Sequence, residues 1–186
     1  MNPVVIMGHT KVRDFVECLG GGSLEEVFQV ERLPIGADIH TMRVTKFKTN
    51  LLAAVLQSDL SVDAATRNAL LPQVLRRGTR RQPDTADFMR SLDDLYGTSI
   101  TADVAKKGER HLLMFGVGVV NDAYLDGGDA MLRKGFSILR ELMVEPAAEG
   151  TGLRADYVAQ EKTNLRRRIE SILDDKQAYA FRRCNE

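Results

Sequence analysis

Three histidines, His9, His40 and His111, and two cysteines, Cys18 and Cys184, are the residues of this chain best suited to bind a metal or to pair as nucleophile and base. Two metal donors on one helix face need a spacing of i to i+3 or i+4, and catalytic zinc needs about three converging donors. No histidine here has such a partner. Cys18 with His40 makes a nucleophile and base on paper, but so does any Cys with any His, and an unpaired structural role is the expectation for both. The cysteines form neither a C-x-x-C pair nor a disulfide framework, so a reduced, cytoplasmic setting is expected. The basic run Arg76-Arg-Gly-Thr-Arg-Arg81 has the charge to hold phosphate. No aromatic residues interleave it and no nucleic-acid-binding module surrounds it, so a solvated helix end is expected, its arginines favoured by the helix dipole.

These residues must be positioned by ordinary elements of a soluble domain. With 186 residues, 44% of them hydrophobic and 28% charged, the chain is large and apolar enough to bury a core and too charged to be membrane-like. A formal net charge of zero gives no global attraction to nucleic acid or acidic lipid. The apolar start at Met1 lacks a basic segment, and no run approaches the roughly 18 apolar residues of a spanning helix. Residues 1–23, closing in Gly20-Gly-Gly-Ser23, are treated as a leader of unknown structure. A hairpin is expected next, with strands Val27–Val30 and Ala37–Val44 around the turn Pro34-Ile-Gly36, and the apolar run Leu51–Leu56 after it is short enough for a buried strand but ambiguous by periodicity alone. Ser61 or Asp63 caps a helix that runs to about Arg77 and stops at Gly78, with Pro72 inside it removing the amide bond to Asn68. Asp84 or Thr85 caps a second helix whose Phe88, Leu92 and Leu95 share a face, closed by Gly97. Strands Ile100–Ala105 and His111–Val120 turn at Lys107-Gly108-Glu109, and Gly116 and Gly118 suggest a closely packed neighbour. Asp129–Met143 has Leu132, Phe136, Leu139 and Met143 on one face and stops at Pro146. A long helix from Asp156 presents Val158, Leu165, Ile169 and Ile172 opposite the run Arg166-Arg-Arg168.

One succession of segments carries more information than the elements taken singly. It runs Asn-Ala-Leu-Leu-Pro-Gln-Val-Leu-Arg-Arg-Gly-Thr from Asn68 to Thr79, then Pro83 to Ala86, Leu-Asp-Asp-Leu-Tyr-Gly-Thr-Ser from Leu92 to Ser99, and Lys106 to Phe115. Asp156 to Lys176 follows, with Val158-Ala-Gln-Glu-Lys162 inside it. From about Lys46 to Glu186 this order resembles the pitrilysin/insulinase-type zinc metallopeptidases, and within them a bacterial subgroup of non-catalytic members encoded beside an active paralogue. Active relatives carry H-x-x-E-H on one helix, two His at i and i+4 flanking a general-base Glu, ahead of a turn ending in Gly-Thr. Superposing that ending on Gly78 and Thr79 puts Ala69 at the first His, Pro72 at the Glu and Gln73 at the second His. The third ligand, a Glu in E-x-E-[KR], aligns with Ala159, leaving Glu161 as a supporting carboxylate. No ligand or base survives, so the resemblance implies no catalytic residue, no metal and no cofactor.

The fold implied is α+β, a mixed, mainly antiparallel sheet packed against helices in a pitrilysin/insulinase-like α/β roll. Residues 24–186 would form the first such domain, incomplete at its C-terminal end because relatives continue to complete the sheet. The position of the relatives' substrate-pairing strand falls on Thr101, Ala102 and Asp103. The leading expectation is a non-catalytic homologue that binds peptide or completes a proteolytic chamber with a zinc-bearing paralogue or a second copy of itself, with no nucleic-acid or membrane partner. An active zinc metalloendopeptidase using noncognate ligands or a further C-terminal portion is the alternative enzyme reading. A purely structural interaction domain is the third.

Overall fold

The long apolar runs of the chain form strands because β-branched and aliphatic side chains pack well on a pleated surface covered by helices. The computed structural model describes residues 2–8, 29–34, 36–44, 47–126 and 130–184. Its main sheet contains β1 (Asn2–Gly8), β2 (Gln29–Arg32), β3 (Asp38–Val44), β4 (Thr49–Asp59), β5 (Ser99–Lys107) and β6 (Arg110–Val120), in the order β2-β3-β1-β4-β6-β5. β1 lies parallel to β4 and every other neighbouring pair is antiparallel. The helices are α1 (Val62–Leu75), α2 (Thr85–Asp93), α3 (Met131–Val144), α4 (Ala155–Glu170) and α5 (Lys176–Cys184), and a two-residue ribbon, β7 (Ala148–Glu149) with β8 (Gly152–Leu153), separates α3 from α4. The architecture is the mixed, mainly antiparallel α+β arrangement expected. Residues 9–23 of the expected leader, with His9 and Cys18, lie outside the described residues, as do the start of the first strand at Val27, Lys46, and Asp129 at the start of the third helix.

Local signals set most element ends. β2 and β3 form the expected hairpin, and at its turn Gly36 has φ 80°. The Ser61 hydroxyl accepts from the Ala64 amide at 3.2 Å, and the Asp84 carboxylate accepts from Ala86 and Asp87 at 2.8 and 3.2 Å, giving α1 and α2 their N-caps. Gly97, at φ 68°, ends the turn after α2. Leu52 and Ala54 of β4, Ala102 of β5, and Leu113, Phe115, Val117 and Val119 of β6 meet Leu75, Phe88, Leu92, Met131, Leu139 and Leu142 from the helices. Each large side chain buried there contributes about 1.5–3 kcal/mol of transfer free energy. Among the described residues no helix is long and apolar enough to cross a membrane.

Two helices are rotated from the faces expected. In α3 the buried line is Met131, Gly135, Leu139 and Leu142, with Leu132, Phe136 and Met143 flanking it, because the helix seats its small Gly135 against the sheet. In α4 the expected stripe is only partly covered: Val158, Leu165 and Ile172 are half-buried and Ile169 is 57% exposed, while Tyr157 and Glu161 are the buried residues of the helix. Side chains of the first two turns contact the end of α1 and the loop after it, which selects the face carrying an aromatic ring and a carboxylate.

Candidate functional site

The end of α1 brings most of the chemically informative positions onto one helix. Ala69 and Gln73 are half-buried one turn apart, with Pro72 buried between them. Proline at 72 has no amide hydrogen, so the carbonyl of Asn68 loses its helical donor there. Asn68 uses its side chain elsewhere, donating Nδ2 to the Ser58 hydroxyl at 3.1 Å. Gln73 reaches across to the sheet, where its Nε2 donates to the carbonyl of Ala102 at 3.0 Å. The position aligned with the relatives' second histidine is thereby joined to the strand expected to contact peptide.

β5 is an edge strand of the sheet, with β6 as its neighbour. Lys107 pairs with Arg110 across the two-residue turn Gly108-Glu109, whose Gly108 sits at φ 55°. In such a hairpin the residues flanking the turn form a hydrogen-bonded pair, so odd-numbered residues of β5 direct their main-chain groups toward β6. Even-numbered residues, Ala102 and Val104 among them, direct theirs to the free edge. Gln73 occupies the Ala102 carbonyl, and the Val104 amide donates to the Asp103 carboxylate at 2.8 Å. Thr101 and Asp103 are exposed and Ala102 is buried. The Thr101 side chain folds over Gly116, where an added Cβ would collide with its hydroxyl, and the Ser99 hydroxyl lies 2.6 Å from where a Cβ of Gly118 would sit. The close neighbour expected at these two glycines is this pair of cross-strand side chains.

Ala159 stands apart from these positions. It is exposed on α4, and its carbonyl accepts from Thr163 at 3.1 Å. Glu161 is the buried member of the Gln160-Glu161-Lys162 stretch. Its Oε1 receives Arg77 Nε at 2.6 Å and also pairs with the Arg77 terminal nitrogen Nη2, while Asn164 Nδ2 donates to Oε2 at 3.3 Å. The Tyr157 ring lies 4.2 Å from the Arg154 guanidinium and 5.9 Å from that of Arg77. Tyr157 donates its hydroxyl to the Pro83 carbonyl at 2.7 Å, and Arg154 donates to the same oxygen at 3.0 Å. Arg154 also holds Asp156 through two nitrogens, at 3.1 and 2.6 Å. That hydrogen bonding raises the Arg154 pKa and lowers the Asp156 pKa.

The Gly-Thr turn fits against this anchored loop. Gly78 does not use a positive φ, and α1 is capped at Arg76 in ordinary helical geometry. Its need for glycine is closeness: a Cβ would stand 2.8 Å from the Gln82 carbonyl oxygen and 3.1 Å from that of Pro83. Thr79 is fully buried, its amide donating to Gln82 at 3.0 Å and its main chain bridging to Pro146. Because Tyr157 and Arg154 pin Pro83, the loop has little room to retreat. Gly78→Ala is expected to destabilise the domain by about 2 kcal/mol, in the range for overpacking a fixed backbone. Urea denaturation checks this, and an unchanged midpoint would show that the loop yields freely.

The basic run is partly neutralised by its surroundings. Arg77 is committed to Glu161, and Arg81 lies 3.3 Å from Glu141. His40, in β3, has its pKa lowered by burial, with Asp38 opposing the shift. His111, in β6, is buried with Nδ1 unpaired. Among the described residues no three His, Cys, Asp or Glu side chains converge as a metal site would require. Sequence reading treated Arg77 as a helix-end charge and Glu161 as a supporting carboxylate, and missed that they bind each other. Their separation of 84 residues leaves no local signal.

No family model matches the chain. It is 44% identical over 145 residues to a protein of Bacillus subtilis (strain 168) named "Probable inactive metalloprotease YmfF", a match that covers 78% of this chain and 34% of that protein. A crystal structure of a conserved protein from Enterococcus faecalis V583 is similar with a TM-score of 0.69 and 30% identity, over 74% of this chain and 32% of the other. The chain thus spans about a third of the length of the relatives it matches. Its similarity to the Bacillus protein supports an inactive, metallopeptidase-like family for this chain.

Proposed function

We propose that this chain is a non-catalytic member of the pitrilysin/insulinase-type metallopeptidases that binds extended peptide along β5 and lines a chamber shared with a zinc-bearing paralogue. The observation that carries the reading is the commitment to structural contacts of Gln73, a position aligned with a metal ligand, and of Glu161, aligned with a supporting carboxylate. Gln73, aligned with the second histidine, is bonded to Ala102, and Glu161, two residues after the position aligned with the third ligand, is bonded to Arg77. Ala69, Pro72 and Ala159 bring no donor. Catalytic zinc takes about three protein ligands and a water, and this set offers none of them. A strand edge with exposed residues at 101 and 103 supplies the surface for β-augmentation, in which main-chain hydrogen bonds hold the peptide and alternate side chains select it. A cytoplasmic setting accords with the exposed, free Cys184.

The test is zinc content and peptidase activity of the purified protein, alone and with whatever zinc peptidase co-elutes from its native source. The isolated chain is expected to retain no stoichiometric zinc after dialysis and to leave unstructured peptides intact, with cleavage confined to the complex. Tight zinc retention by the isolated chain, abolished on mutating Gln73 or Glu161, would defeat the proposal.

A further inference from the structure

We infer that Gln73 and Asp103 form a guard on the free edge of β5, which an incoming peptide strand must displace. This rests on the reading of β5 as the peptide-pairing edge and adds how that edge is controlled. An unpaired edge strand offers a row of amides and carbonyls to any extended chain. Here two successive edge-directed residues already have partners from outside the ladder: the Ala102 carbonyl takes the Gln73 carboxamide, and the Val104 amide gives its hydrogen to Asp103. A strand laid beside β5 needs these same two groups, one as acceptor and the other as donor, to make consecutive ladder bonds.

The two guards differ in origin and in ease of release. Gln73 is held by α1, whose Pro72 and Val74 are buried beside it, so only its side-chain torsions need to change. Asp103 sits on β5 itself, exposed, and releases Val104 by rotating into water, where its carboxylate is fully solvated. Exchange of these side-chain bonds for peptide bonds is nearly balanced in hydrogen-bond number. Affinity must then come from the side chains of the peptide, which favours a sequence-selective ligand over any extended chain.

The experiment compares the whole chain with Gln73→Ala, Asp103→Ala and Asp103→Asn, the last retaining an acceptor. The probe is a fluorescein-labelled peptide of alternating valine and threonine with lysine at each end, titrated by anisotropy, alongside hydrogen exchange of the Val104 amide. Asp103→Ala is expected to speed Val104 exchange about tenfold, as loss of a hydrogen bond to a charged acceptor implies, while Asp103→Asn keeps most of the protection. Gln73→Ala and Asp103→Ala are each expected to bind the probe several-fold more tightly than the parent chain. Equal or weaker binding by both variants, with the parent chain binding, overturns the guard and leaves the peptide-binding reading intact. If no form binds the probe but Asp103→Ala exchanges faster and self-associates through β5, the guard stands and the peptide reading falls. Unchanged exchange and no association in any form overturn both.

Discussion

Arg77→Leu is expected to lower the stability of the domain by about 3 kcal/mol, more than any exposed charge on the molecule would. The Glu161 side chain is 11% exposed and that of Arg77 24%, so the pair is largely shielded from water. Removing the guanidinium leaves the carboxylate with Asn164 at 3.3 Å as its named partner and a hydrophobic neighbour in place of a cation. A buried charge without its counter-ion is far more costly than the pair is favourable. The double variant Arg77→Leu/Glu161→Leu is therefore expected to regain most of the loss. Urea denaturation of the parent, both single variants and the double variant yields the coupling between the residues. Additive losses would mean that the two side chains act independently and that α4 is held to α1 by Tyr157 and the loop alone.

This pair also joins two helices. In a zinc site, a cation links donors from separate helices. Here Arg77 at the end of α1 is a covalently attached cation that links α1 to Glu161 on α4. The same link holds Tyr157 against the loop through Pro83, and the loop in turn closes on Gly78.

The elements that were legible in the sequence are those with a local cause. Ser61 and Asp84 are cap residues that satisfy orphan amides within three positions, and Gly97 and Gly108 take the positive φ that their turns demand. Pro72 acts on its own helix wherever that helix packs. Gly78 was legible as a helix end but not for its physical reason, because the carbonyls it approaches belong to a loop whose position depends on α4. The face of α4 was misread for the same kind of reason. Periodicity favoured Val158, Leu165 and Ile169, but an inward Glu161 becomes favourable only once Arg77 meets it. Ala69, Pro72 and Gln73 were identified by alignment to a motif, whereas the bond from Gln73 to Ala102 joins residues 29 apart and required the sheet.

Phe115→Ala is expected to have the largest effect, about 4 kcal/mol, because it removes a ring that is 2% exposed from the centre of the core. The ring shares one cluster with Leu52, Phe88 and Leu139, so α2 and α3 would have to move to fill the space, and close-packed interiors relax only in part. Phe115 is also the cross-strand partner of Ala102. A cavity there removes support from beneath the residue whose carbonyl Gln73 holds, so its consequences extend beyond global stability. Hydrogen exchange under native conditions separates the two effects: amides of β5 should lose more protection than those of β4, even though both strands belong to one sheet. Uniform loss across β4, β5 and β6 would show that the edge strand is anchored by its ladder alone. Selective loss at Asp103 and Val104 would show that core packing around Phe115 sets how readily the edge strand and its bonds to Gln73 and Asp103 open.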